Sequence, residues 1–437
     1  MNRTRIITAA ALTLVAAGLL LAGPLDPPAG PVTSTYKTLT EVEPRIAINA
    51  TNTPGDANSL FKITQRGSYY LTGNITGVAG RHGIEIAANG VTLDLMGFDL
   101  VGSAEVAALD GVSLGVGNLA NITIRNGSVR DWGDEGVDLE SSINSAVIDV
   151  RASGNAGNGI STGRGSTTTG CSAYANGGNG IYTSSGSTIS NCNARSNTAN
   201  GIVGESGSTI TGCSAYINTG SGISTGSDST ITGCTASFNT GSGIVAGEGS
   251  TITGCTVSNN TDNGISTSFG CTISNCTANN NTGNGISANN GSTISNCTAR
   301  SNTLDGISAG IGSTISNCTA RLNTRDGIRV TSGCVVLANT CTQNGNSGDG
   351  AGIHATGSDN RIEGNNCTFA DRGIDVDFVS NIIIKNTCSD NTINWVIAAN
   401  NVVGPILDRR APASAAISGN SAPDSTGSTH PNANFTY

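Results

Sequence analysis

The chain has 437 residues, of which 61 are glycine; only 12% are charged, 4% are aromatic, and the formal net charge is −9. Coiled coils and helical bundles need Glu, Lys, Leu and Ala in bulk, so this composition excludes them. The acidic balance, with Lys37, Lys62 and Lys385 as the lysines, repels phosphate backbones, and no nucleic-acid partner is expected.

The start reads as an export signal. Arg3 and Arg5 precede an uncharged, mostly apolar run from Ile6 to Ala22, and Ala22-Gly23-Pro24 offers small residues for cleavage. Residues 1–22 are expected to be a signal peptide and 23–58, rich in Pro, a linker or irregular lead-in. No other stretch is apolar enough to cross a bilayer. The mature protein is therefore expected to be secreted, cell-surface or periplasmic, with no stable membrane span after cleavage.

A weak repeat begins at Gly83-Ile84, Gly111-Val112 and Gly136-Val137, and becomes strict from Gly159. Gly-Ile then recurs at 159, 180, 201, 222, 243, 264, 285, 306 and 327, and Cys at 171, 192, 213, 234, 255, 276, 297 and 318, both every 21 residues. Such a period, filled with Gly, Asn, Ser and Thr, marks a β-solenoid. In one unit Ile286, Ile294, and Cys297 with Ala299 point inward from three short strands, as the alternation of strand side chains requires. Ile294 and Cys297 are three apart, so a bend lies between them. The residue before each Cys is Gly170, Asn191, Gly212, Gly233, Gly254, Asn275, Asn296 or Asn317, the two residue types that most easily take positive φ. The pattern predicts an all-β, right-handed parallel β-helix over 59–408. It would have about 15 coils, three short strands per coil and one left-handed corner, followed by a polar tail or cap at 409–437.

A second column, from Asn155 through Asn176 and Asn197 to Asn344, keeps the same interval and predicts amides bonded from coil to coil. Thirteen Cys in an exported chain would ordinarily suggest disulfides. In-register neighbours on parallel strands, however, hold their Cβ atoms about 4.8 Å apart, beyond disulfide reach. A ladder of buried thiols is expected instead. Cys271 and Cys334 stand off it, in a column otherwise filled by Ser, and are expected to be the more reactive ones.

Gly67-Ser68-Tyr69-Tyr70-Leu71-Thr72-Gly73-Asn74-Ile75, followed by Gly90-Val91-Thr92-Leu93-Asp94-Leu95, resembles the opening coils of secreted bacterial β-helix repeat proteins of the pectin-lyase-like superfamily, of planctomycete type. The resemblance spans about residues 58–400. It implies the β-helix fold and a polysaccharide or cell-surface glycan as partner, and leaves the activity open. The superfamily's catalytic strings are missing. There is no Asp-Asp with Gly-His-Gly and no Asp-Pro-His, and Arg410-Ala411-Pro412 continues to Ala415 where the lyase motif has Arg.

Three surface columns and one acidic group could carry chemistry. The outward position after each Gly-Ile changes from Ser, Tyr and Val to Arg329, His354 and Asp375, with Arg372 and Asp377 beside the last. There His354 could act as proton acceptor, Asp375 could orient it and Arg329 could bind a sugar carboxylate. Tyr174, Arg195 and Tyr216 share another column and could line a glycan track, as could Arg300 and Arg321 in the same column further on. Asp131, Asp134, Glu135, Asp138 and Glu140 form an acidic group that could hold Ca²⁺, the one cofactor considered; no other metal site is expected. Seven ranks of Thr-x-Thr or Thr-x-Ser, from Thr188 to Ser316, make a hydroxyl–methyl face like those of ice-binding solenoids. From Gly165 to Thr324 the few charged side chains form no acid/base cluster. The leading expectation is thus a noncatalytic exported β-helix with a structural or polysaccharide-contacting role. The alternatives are a polysaccharide lyase or glycoside hydrolase acting through the C-terminal coils, and binding of ice or a crystalline surface.

Overall fold

Residues 43–103, 108–345, 348–408 and 430–437 are described by the computed structural model. The expected signal peptide, residues 23–42 of the lead-in and 409–429 of the tail lie outside them. Of the unit Met1–Arg45, the described part is a short segment in which Arg45 pairs with Glu43 at 2.7 Å. The unit Ile46–Tyr437 is a parallel β-solenoid.

Each regular coil follows from its 21 residues. In the unit singled out above, the strands are Ile286–Ala288, Thr293–Ser295 and Thr298–Arg300. Ile286, Ile294 and Ala299 point inward with no exposed surface, and Cys297 sits at the corner with 1%. Each strand pairs in parallel with its counterpart one repeat on, Ile286 opposite Ile307, Ile294 opposite Ile315 and Ala299 opposite Ala320. The strands that follow the Gly-Ile dipeptide stack into a sheet of 16, and the other two per coil into one of 32. Among the described residues no helix is long and apolar enough to cross a membrane.

The solenoid reaches beyond its regular repeats at both ends. Ile46–Ala47, within the lead-in, pairs with Tyr69 and Tyr70. Asn434–Thr436 returns to pair with Thr387 and Cys388 and with Ile406–Asp408, so the last residues are built into the final coil.

The left-handed corner before each Cys of the column from Cys171 to Cys318 is present, with φ of 54° at Asn296 and 65° at Gly170. Two further corners per coil were not expected. One carries Gly270, Gly291 and Gly312; the other carries Ile217, Phe238, Ser301 and Leu322, at φ from 54° to 58° for these four. The second accepts residues that resist positive φ because the Asn that follows clamps the chain. Asn239 accepts from the backbone N–H and the side-chain amide of Asn218, both at 3.0 Å, and donates its own amide to Asn260 Oδ1 at 3.0 Å and to the Ala215 carbonyl at 3.3 Å.

All thirteen Cys are free and buried. Cys271 and Cys334 are no exception, at 1% exposure each, which corrects the expectation of reactivity. Their column faces the interior, and each Sγ–H donates to a carbonyl of the preceding coil, Gly247 and Gly310, at 3.2 Å. Burial also pushes the Cys334 thiol up from its usual range. Beyond Cys318 the thiol column passes to Asn339, Asn365 and Asn386, which bond in series.

Candidate functional site

The insertion before Gly352 leaves the strand register intact. Arg329 lies opposite His354, and His354 opposite Asp375, on three successive coils of the 16-stranded sheet. The column expected from sequence is therefore assembled, but its contacts differ from expectation. His354 Nδ1 lies 2.9 Å from Asp326 Oδ2 and Nε2 lies 3.0 Å from Asp377 Oδ2, whereas Asp375 Oδ2 stands 3.9 Å from Nε2. Asp326, not Asp375, orients the ring. Asp375 is turned to Arg372, which donates to its Oδ2 and reaches Asp349 at 2.7 Å with its other nitrogen. Arg329 approaches Asp326 only to 4.0 Å and keeps a third of its side chain exposed.

Asp326 is itself fixed. It accepts from the Ala351 N–H at 2.8 Å, and its own N–H donates to Asp305 at 3.2 Å. Burial opposes the charged form of His354, but the hydrogen bond and charge of Asp326, joined by Asp377 and Asp375, outweigh it and raise its pKa to about 9. The ring therefore holds its proton more firmly than a free imidazole, which works against the expected role of proton acceptor. Sequence reasoning missed Asp326 because it followed one column. The residue before each Gly-Ile is Asn or Ser through mid-solenoid and becomes Asp305 and then Asp326 at the C-terminal coils. That change of residue type was a usable signal.

The same neighbouring column is charged at the other end, with His82, Asp110 and Glu135. His82 Nδ1 lies 3.2 Å from Asp110 Oδ2, and Lys62 is held between Glu85 at 2.6 Å and Asp56 at 2.8 Å. A cleft of about 310 Å³ opens between Lys62, His82, Glu85 and Ser113. The acidic group considered for Ca²⁺ adjoins this end. Asp131 pairs with Arg130 at 2.8 Å, and burial raises Asp138 and takes Glu135 up to about 8. No three of these five carboxylates bring ligand atoms within 4.8 Å of one another.

The aromatic column is also in register, Tyr174 opposite Arg195 and Arg195 opposite Tyr216. The Arg195 guanidinium lies over the Tyr216 ring, 5.3 Å from its centre. Phe238, which stands on a corner and escaped the strand-based pattern, meets Tyr216 edge-on at 5.5 Å and 73°. Tyr174 and Phe238 are each 52% exposed, so the strip faces solvent over four coils. Arg300 and Arg321 pair further along, and Arg321 donates to Gln343. The Thr ranks align from Thr188 to Thr314.

The profile described as "Right handed beta helix region" matches residues 63–209, 202–271 and 265–406. The chain belongs to the right-handed β-helix family. No curated protein sequence matches it. Similar solved structures include the A-module of mannuronan C-5 epimerase AlgE4 from Azotobacter vinelandii, at 14% identity and a TM-score of 0.33, covering 78% of this chain and 91% of that one. The periplasmic alginate epimerase AlgG aligns at 10% identity and a TM-score of 0.35, over 73% of this chain and 76% of that one. The Dettilon tailspike protein aligns at 16% and 0.38, over 68% and 60%. At these identities the likeness is one of fold.

Proposed function

We propose that this right-handed β-helix is a noncatalytic, exported protein that contacts polysaccharide along its side. One observation carries this: the solvent-facing strip of Tyr174, Arg195, Tyr216 and Phe238, with the guanidinium stacked on one ring and a second ring edge-on to it. Aromatic faces suit the apolar C–H faces of sugar rings, and a stacked Arg keeps its donors free for hydroxyl and carboxylate oxygens. The strands that carry three of these residues are hydrogen-bonded to both neighbours, so little order is lost on binding. A glycan array probed with the full chain tests the proposal. Retention on neutral or uronate-containing polysaccharide is expected, and failure to retain any glycan would overturn it.

A second reading, a lyase or hydrolase acting on acidic glycans, is favoured by the imidazole held between Asp326 and Asp377 beside the partly exposed Arg329. Glycans retained on the array would be screened for cleavage. Turnover lost in both His354→Ala and Asp375→Ala supports that site; turnover surviving both excludes it.

A further inference from the structure

We infer that His354, Asp375 and Asp377 form a binding site for one divalent transition-metal ion such as Zn²⁺ or Mn²⁺, with Asp326 as the carboxylate that orients the histidine. This stands apart from the glycan strip, which lies on other coils and the other sheet.

Among the described residues, these three are the group of His, Cys, Asp and Glu whose ligand atoms all lie within 4.8 Å of one another. Zinc–nitrogen and zinc–oxygen bonds are about 2.0–2.2 Å, so two ligand atoms of one ion stand roughly 3–3.5 Å apart. His354 Nε2 is 3.0 Å from Asp377 Oδ2, within that range, and 3.9 Å from Asp375 Oδ2, the oxygen that Arg372 holds, so the Asp375 carboxyl has to turn its free Oδ1 toward the ion. Small side-chain rotations close the difference.

Three features beyond the cluster point to a ligand. The Asp326–Nδ1 contact of 2.9 Å leaves Nε2 as the nitrogen turned toward both other carboxylates, the arrangement by which a carboxylate fixes a metal-binding imidazole. Asp375 is 1% exposed, yet its Oδ1 has no hydrogen-bond partner. A buried carboxylate oxygen left so is costly, and a metal ion satisfies it. Asp377, by contrast, has a side chain 44% exposed, which gives an ion a way in and leaves room for water to complete the coordination.

The donor set selects the class of ion. One imidazole and two carboxylates suit Zn²⁺ or Mn²⁺; Ca²⁺ requires six to eight oxygens, and soft ions prefer thiolate ligands, whereas the Cys here are buried thiols. Arg372 and Arg329 oppose a cation. Arg372, however, is shared between Asp375 Oδ2 and Asp349, which leaves Oδ1 available, and Asp305 and Asp326 add negative charge behind the ring.

Equilibrium dialysis of the chelator-stripped full chain against Zn²⁺ alone and Mn²⁺ alone tests this. One ion is expected per chain, with affinity reduced at least tenfold in Asp377→Asn and in His354→Gln. Asp377→Asn alters a half-exposed side chain and keeps every thiol, so its metal-free melting temperature is expected to stay unchanged and its loss of binding cannot reflect unfolding or zinc held by cysteine. Absence of a bound ion in the unsubstituted chain, or undiminished affinity in a folded Asp377→Asn protein, would overturn the inference.

Discussion

At the residue scale the corners decide much. Asn296 holds φ at 54°, and a β-branched residue there is strained by about 1–2 kcal/mol. Asn296→Val is expected to lower the melting midpoint by a few degrees; an unchanged midpoint would contradict the corner. The converse holds at Ile217, already β-branched at φ 54° and 43% exposed. Ile217→Asn is expected to raise the midpoint, by about 0.5–1 kcal/mol of stability. Glu135 supplies a pH dependence. Burial lifts its folded pKa to about 8 from 4.5, so the unfolded chain ionises first as pH rises. Its contribution is fully present below pH 4.5 and is lost as pH climbs through 8, on the order of a few kcal/mol. Denaturant titrations at pH 5 and pH 8 are expected to show that loss, and Glu135→Gln to reduce it. The corner before each Cys from Cys171 to Cys318 in the 21-residue column was legible because only Gly and Asn occupy it. The corner at Ile217 and Phe238 was not, since its conformation is imposed by the following Asn and leaves no mark on the residue itself.

At the scale of elements, the columns matter more than the strands. A three-residue strand such as Thr293–Ser295 has little stability alone and persists because both neighbours pair with it. The Asn column adds a buried amide to each regular coil, and at Asn239 both amide protons and the oxygen are bonded. Asn239→Ala would leave the Ala215 carbonyl and the Asn218 amide without their partner, a loss of about 2–4 kcal/mol. Cys255→Ala removes a single buried sulfur and is expected to lose roughly 1 kcal/mol. Comparing the two by chemical denaturation checks the ranking; equal losses would mean the amide ladder adds little. Period and column phase were plain in the sequence. The partner of His354 was not, because Asp326 belongs to an adjacent column one coil back and reaches across by side-chain direction, which spacing alone does not encode.

At the scale of the whole solenoid, charge is sorted by position. On the 16-stranded sheet, ionisable groups gather at the first coils, around Lys62, Glu85 and His82, and at the last, around Arg329, His354 and Asp375, while the coils between carry mostly Ser, Thr and Asn. On the 32-stranded sheet the aromatic strip interrupts a similarly regular surface. Fold class, coil period and the in-register strip could all be read before the structure. Phe238 as its fourth member could not, because a corner residue lies outside strand alternation. The measurement that bears most directly on the glycan-contacting reading is affinity electrophoresis in gels containing an array-positive polysaccharide. It would compare the unsubstituted chain with an Arg195→Ala, Tyr216→Ala double variant. Retardation of the unsubstituted chain, reduced at least tenfold in apparent affinity in the variant with its melting midpoint kept, is the predicted result; equal retardation of the two would contradict it.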